Sequence, residues 1–472
     1  MIPVLKKEVE IREEPNGAIF INTQTEHNLF ASPSEAFILT LFDGTRTLDD
    51  IIHLLENLKN APEGKKIRED ICKLIQKRNM FLETIEKPLK RRRISVDPYH
   101  FLSMPNLYVR PSRPHAPLSL DLYITRRCNL NCVYCFANAT QEGYPPESRQ
   151  HEEMDINILN RVIDQIADLK IRRIVLAGGE PTLRPELPEI IQRLTDYNID
   201  VFLSTNACLM DDSLARALKD AGLTRIQAKL DAAHPDIQDR MSRVKGSYTQ
   251  LIKGIETLKN HSFEVTVVML VTAWNIKELP DVAKVCADLH VDEVKPRMYT
   301  PGIWALRGRG GAELNPSLED IQWMVETIEK LQETYKGTMT IYPPDFTGFH
   351  ECKEYEVATC PGFILSCTIL ENGLVVPCET LADFSSEFLI GNVREQSIID
   401  IWNSEKVQKW VLRENIDVGG PCRSCNEFMR CRGGCPWRSI VAYGEWLGDP
   451  SCVRTPDPIK IPLAKVPPLN KR

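Results

Sequence analysis

Two hydrophobic periods alternate along residues 118–335. Runs that are apolar, or apolar at every second position, predict strands at 118–125, 173–177, 201–204, 225–229, 265–271 and 293–297. Between them, stretches such as ILNRVIDQIADL and LPEIIQRLTDYN space their apolar residues three and four apart, as a helix face requires. Repeated βα units predict a parallel sheet, and right-handed crossovers curl such units into a barrel or part of one, with ligands gathering at the C-terminal ends of the strands. A further helix is expected near 317–335.

The first 88 residues follow another pattern. Short extended segments at 18–22 and 28–31 precede Ser32-Pro33-Ser34-Glu35, which supplies an N-cap, a first-turn proline and a capping acid for the helix AFILTLF. Asp43-Gly44 breaks that helix, Thr47 and Asp50 open a second, IREDICKLIQKRN forms a third, and FLETI is extended. Strands followed by three helices suggest a winged-helix-like unit over 1–88. Residues 89–116, rich in proline and basic residues, are expected to be a linker that wraps rather than packs. The barrel should then span 117–344, an irregular cysteine-dense region 345–455, and a tail 456–472.

Composition narrows the class. With 43% hydrophobic and 26% charged residues, the 472-residue chain has globular values, which exclude wholesale disorder. It has no apolar run approaching about 18 residues and no signal-peptide core at its start, so a cytoplasmic protein without a membrane partner is expected. A net charge of −7 provides no general field for nucleic acid. Fifteen cysteines in such a chain point to metal or redox chemistry rather than disulfides.

Cys128-x₃-Cys132-x₂-Cys135 directly follows the first barrel strand, so one loop presents three thiolates at a strand's C-terminal end. Three thiolates on a four-iron cubane leave one iron open, whereas structural zinc normally takes four closed ligands. Here the sequence resembles the radical SAM superfamily, including the aromatic Tyr134 before the last cysteine. The resemblance implies that the open iron is chelated by S-adenosylmethionine (SAM), which on one-electron reduction yields a 5′-deoxyadenosyl radical. A second motif of that family, Gly178-Gly179-Glu180-Pro181, follows the second strand, where backbone and Glu180 would approach the SAM ammonium. Ser204 and Asn206, ending the third strand, resemble the polar group that contacts the ribose or carboxylate; a helix N-cap is the other reading. Lys229 departs from the usual serine after the fourth strand, and either binds the SAM carboxylate or pairs with Asp231. Arg243 lies near an expected carboxylate-binding arginine, with Arg240 as competitor, and Val271 and Asn275 lie near the expected adenine position.

The later cysteines resemble the SPASM extension of radical SAM enzymes, which holds two auxiliary [4Fe–4S] clusters. By that resemblance Cys360, Cys367, Cys378 and Cys435 would hold one, and Cys422, Cys425, Cys431 and Cys452 the other. Some relatives have seven cysteines here, in which case Cys367 would be spare. Glu379 stands where sulfatase-maturing relatives carry a proton-accepting acid, and Cys208 is a candidate catalytic thiol. The N-terminal pattern resembles the PqqD-like recognition element that binds the leader of a ribosomal precursor peptide as an added strand. The implied enzyme modifies such a peptide, most simply by a thioether or carbon–carbon crosslink, with flavodoxin or ferredoxin as electron donor. The alternatives are oxidation of a protein side chain or of a tetrapyrrole, and a non-catalytic zinc-rich winged-helix regulator.

Overall fold

The computed structural model describes residues 2–24, 27–58, 62–104, 113–137, 139, 153–299, 311–343, 360–382, 384–412, 419–426, 428–443 and 445–448. The chain divides into two compact units, Met1–His115 and Ala116–Arg472. Among the described residues no helix is long and apolar enough to cross a membrane.

The first unit runs β1 (Ile2–Leu5), β2 (Val9–Glu14), β3 (Gly17–Asn22), β4 (Asn28–Ala31), α1 (Pro33–Leu41), α2 (Leu48–Glu56), α3 (Gly64–Lys77), β5 (Leu82–Ile85) and α4 (Pro98–Leu102). β2, β3 and β4 form an antiparallel sheet, and β1 pairs separately with β5. Helix starts follow local chemistry: the Ser32 side chain accepts the Glu35 N–H, and Thr47 and Asp50 cap each other reciprocally. β2 escapes the sequence reading because its polar residues are buried; Arg12 and Glu14 pair at 2.7 Å and are nearly inaccessible. The segment expected to wrap without packing does pack over its first part. Leu89 N–H donates to the Gly44 carbonyl, Arg93 reaches the Leu5 carbonyl at 2.8 Å, and Phe101 on α4 is 1% exposed. A five-residue helix is too short to show a period, so its two buried residues, Pro98 and Phe101, leave no pattern.

The second unit is a ten-stranded open sheet. Six βα units supply β6 (Ser119–Tyr123), α5 (Ile156–Asp168), β7 (Arg173–Ala177), α6 (Leu187–Asp196), β8 (Asp200–Ser204), α7 (Asp212–Asp220), β9 (Arg225–Lys229), α8 (Pro235–Ser242), α9 (Ser247–Asn260), β10 (Glu264–Val271), α10 (Leu279–Asp288), β11 (Glu293–Met298) and α11 (Leu318–Thr334). β6 to β11 are parallel neighbours in chain order, as the six predicted strands require, and β12 (Thr340–Ile341) extends the β11 edge. The helices bury one stripe each, Leu159, Val162, Ile163 and Ile166 on α5 being typical. Leu120 and Leu122 of β6 join the same core as these helices, which turns Asp121 and Tyr123 to the opposite, inner face.

The region expected to be irregular contributes to the sheet. β13 (Ser366–Ile369) pairs in parallel with β6, and β14 (Leu374–Val376) and β15 (Gly391–Asn392) continue antiparallel beyond it. Gly373, at φ 91°, makes the hairpin turn between β13 and β14. The remaining described helices are α12 (Ile398–Trp402), α13 (Glu405–Leu412), a short one at Phe428–Cys431 and one at Pro436–Tyr443. Replacing Phe101 with Ala is expected to destabilise the first unit by about 3–5 kcal/mol, read as an earlier transition in urea. Leu102→Ser, at a half-exposed position, should change it by less than about 0.5 kcal/mol.

Candidate active site

All six parallel strands end on one side, and the loop after β6 carries Cys128, Cys132 and Cys135 there. The three cysteines share a small cluster with Leu130, Ala137, Ala139, Cys208 and Val244. The end of α8 braces the loop: Asn131 N–H donates to the Ser242 carbonyl and Val133 N–H to the Met241 carbonyl. From β8, the Asn206 amide donates to Asn129 at 2.8 Å and approaches the Cys128 sulfur at 3.8 Å. Burial pushes the Cys132 thiol up to about 11 and the Cys128 thiol higher still, and charge on either of the other two raises Cys128 further. Two neighbouring thiols, Cys128 and Cys132, that resist ionisation suit a cationic metal site, whose charge draws off the protons.

The turn after β7 is welded to this loop. Gly179 N–H donates to the Thr125 carbonyl and Glu180 N–H to the Arg127 carbonyl. A Cβ at Gly178 would stand 2.5 Å from the Thr125 oxygen, and one at Gly179 2.3 Å from the Arg127 oxygen, so both positions exclude a side chain. Glu180 does not reach outward toward a ligand as expected. It is 0% exposed, and its carboxylate accepts from the Thr182 N–H and hydroxyl, the Thr205 hydroxyl and the Asn206 N–H. Its part is to tie the β7 turn to the β8 turn.

The other predicted positions separate. Lys229 faces the inner side, 3.7 Å above the Tyr134 ring, and its charge favours the Cys132 thiolate. Tyr134 donates to Asp231, which also accepts the Leu270 N–H at 3.0 Å, so Asp231 is fixed without Lys229. Ser204 accepts from the Gln227 amide at 3.0 Å. Val271 is fully buried in the main core, which removes its side chain from any ligand. Asn275 is a structural clip, donating to the Asp231 and Leu270 carbonyls. Arg243 ends α8 at φ 56° with its side chain exposed, and Arg240 stacks 3.7 Å above Trp274. Cys208 donates to the Ser247 carbonyl at 3.8 Å, and burial pushes its thiol up to about 12, which disfavours the thiolate in the surround described.

At the seam with β13, the Cys378 sulfur lies 3.3 Å from a Glu379 oxygen and 3.2 Å from the Thr380 hydroxyl. Asp121, unremarked in sequence, faces the same region. Burial, and then the Glu379 charge, push its carboxyl up to about 7 against the pull of Thr368 and Arg297. The alternation in SLDLY, with leucines outward, is the signal that could have found it.

Cys378 and Cys435 pack against one aromatic cluster, and a Cβ at Gly362 would lie 3.4 Å from the Cys360 sulfur and 2.9 Å from the Pro377 oxygen. Cys378 and Cys435 thus share one surround, and Gly362 sits between the Cys360 sulfur and the Pro377 that precedes Cys378, whereas Cys367, 3% exposed on β13, sits in the main core. A Cβ at Gly448 would come within 2.6 Å of the Cys422 sulfur, a close approach that leaves that thiol room only beside glycine. Cys425 N–H donates to the Cys422 carbonyl and Gly434 N–H to that of Cys431, so turns set these thiols. Cys452 lies outside the described residues. The described cysteines of this region offer sulfur donors, a set that fits iron-sulfur clusters.

Two substitutions test this geometry. Gly179→Ala is expected to displace the cysteine loop and lower its iron loading, measured as iron and sulfide per chain after anaerobic reconstitution. Cys128→Ala should abolish reductive SAM cleavage, whereas Cys208→Ala should retain most of it in the same 5′-deoxyadenosine assay.

Residues 122–286 match the radical SAM superfamily, and residues 360–426 match SPASM, an iron-sulfur cluster-binding domain. An AdoMet-dependent heme synthase of Methanosarcina barkeri is 27% identical over 358 residues, covering 72% of this chain and 98% of its own length. A PqqA peptide cyclase of Bradyrhizobium diazoefficiens is 27% identical over 354 residues, covering 72% of this chain and 87% of its own. In fold, the chain resembles Streptococcus suis SuiB bound to precursor peptide SuiA, with TM-score 0.67 and 18% identity over 96% of this chain and 100% of that one. With both matches falling on the two cysteine sites, the chain is a radical SAM enzyme with a SPASM domain, using SAM and [4Fe–4S] clusters that include auxiliary ones.

Proposed function

We propose that the chain modifies a ribosomally made precursor peptide. The observation that carries this reading is coverage. The heme synthase accounts for nearly all of its own length with 72% of this chain, whereas the likeness to peptide-bound SuiB extends over 96% of it. In this reading the first unit captures the leader, and its antiparallel sheet β2–β3–β4 offers edges that an added strand could extend.

Cys128, Cys132 and Cys135 would hold the cluster that, with SAM, would supply the radical chemistry for removing a hydrogen atom from a peptide carbon. In this reading Lys229 would hold the SAM carboxylate, and the Tyr134 ring beneath it, 3.7 Å away, supports its ammonium. Ser204 and Asn206 line the neighbouring strand end for the sugar. Glu379 and Asp121 stand on the inner face, where one of them would accept the proton released as the peptide closes a thioether or carbon–carbon bond, and Cys360, Cys378 and Cys435 would hold the auxiliary cluster that supplies an acceptor for the surplus electron. Cys422, Cys425, Cys431 and Cys452 complete the second auxiliary site.

A second reading, oxidation of a tetrapyrrole, is favoured by the identity to the heme synthase. The two separate by experiment. Incubated with a peptide encoded beside its gene, the holoenzyme should remove two hydrogens from it and leave a crosslink visible in tandem mass spectra. Deleting residues 1–115 should abolish that product while sparing uncoupled SAM cleavage. Conversion of an iron porphyrin, with no change in the peptide, would establish the second reading instead.

A further inference from the structure

The helix Pro436–Tyr443 begins directly after Cys435, and its second residue, Trp437, is 3% exposed. Its side chain clusters with Leu381, Phe388, Ile440 and Val441, and Cys378 and Cys435 pack against that cluster. The Phe384 ring meets the indole edge-on, with centroids 6.1 Å apart and planes at 80°. Packing therefore fixes the indole firmly, yet its N–H is buried and has no acceptor among the described residues.

An indole nitrogen is a donor only, and a shielded donor without a partner is rare in a folded protein. Leucine, isoleucine, valine and phenylalanine cannot accept its hydrogen. The acceptors within the same cluster are the sulfurs of Cys378 and Cys435. Thiol sulfurs accept weakly, but as iron-bound thiolates, beside the inorganic sulfides they would hold, they would become the strongest acceptors in this apolar pocket. The Trp437 donor therefore gains its partner when the auxiliary cluster is bound.

We propose that Trp437 donates a hydrogen bond to sulfur of the auxiliary cluster carried by Cys378 and Cys435, and thereby raises its reduction potential. The proposal rests on those cysteines holding an iron-sulfur cluster. Reduction adds negative charge to the sulfurs, so a fixed donor stabilises the reduced state more than the oxidised one. Glu379, whose oxygen lies 3.3 Å from the Cys378 sulfur, acts in the opposite sense when charged, and the Thr380 hydroxyl at 3.2 Å is a second donor available to the same thiolate. The pair Trp437 and Glu379 thus sets how readily this cluster takes an electron.

The test uses the full-length reconstituted chain, with Cys128, Cys132 and Cys135 replaced by Ala to silence the SAM-binding cluster. Trp437→Phe should leave iron and sulfide per chain unchanged, shift the auxiliary-cluster midpoint to more negative potential in an EPR-monitored titration, and remove one exchangeable proton coupling from its pulsed EPR spectrum. If the smaller ring lowers iron content, benzothienylalanine at position 437 keeps the bicyclic shape while deleting only the N–H. A loaded cluster with unchanged potential and unchanged proton coupling would overturn the proposal. Parent protein that incorporates no iron at this site would instead overturn the cluster assignment beneath it.

Discussion

The mouth of the barrel depends on a carboxylate buried without a cation. Glu180 has no exposure, and burial pushes its carboxyl above the usual range while three donors from Thr182 and Thr205 and the Asn206 N–H oppose that rise. Those donors come from the turns after two neighbouring strands, and the glycines before Glu180 press the same turn against the cysteine loop. Loss of the carboxylate would leave several buried donors unpaired at once. Three consecutive strand ends are thereby held as one body, which is what a metal site needs of its supports.

The sheet was legible because parallel strands covered by helices are short apolar runs between turn residues, and the cysteines because their spacing is local. What stayed hidden was long-range. Glu180 reads in sequence as a ligand contact, since nothing nearby announces that its partners lie on the next strand. Asp121 meets Thr368 from 247 residues away, across a parallel pairing that no periodicity foretells. Cys367 is a ligand only by the SPASM resemblance, and β13 alternation turns it into the core and turns Thr368 inward.

The inner face of the sheet is chemically unlike its outer face. Outward core positions of β6 to β11 are leucine, isoleucine, valine, alanine and Met269, packed under helices. Inward positions include Asp121, Ser204, Gln227, Lys229, Lys295 and Arg297. Such a lining cannot serve as a second apolar core, and its mixed charges suit a ligand with polar groups of both signs. Asp121, whose carboxyl is pushed up to about 7 by burial and by Glu379, is a point on that face whose charge state responds to what stands opposite.

The parallel pairing of β13 with β6 has a consequence for any attempt to take the molecule apart. The cysteine-rich extension covers the first barrel strand and ends the sheet with short antiparallel strands. Severed at the boundary suggested by composition, the barrel would carry a bare strand edge of unpaired amides and carbonyls, with Leu120 and Leu122 beside it, an invitation to self-association. The two cysteine sites are in this sense not modules joined by a tether but two stations on one hydrogen-bonded lamina, and solubility as much as catalysis keeps them together.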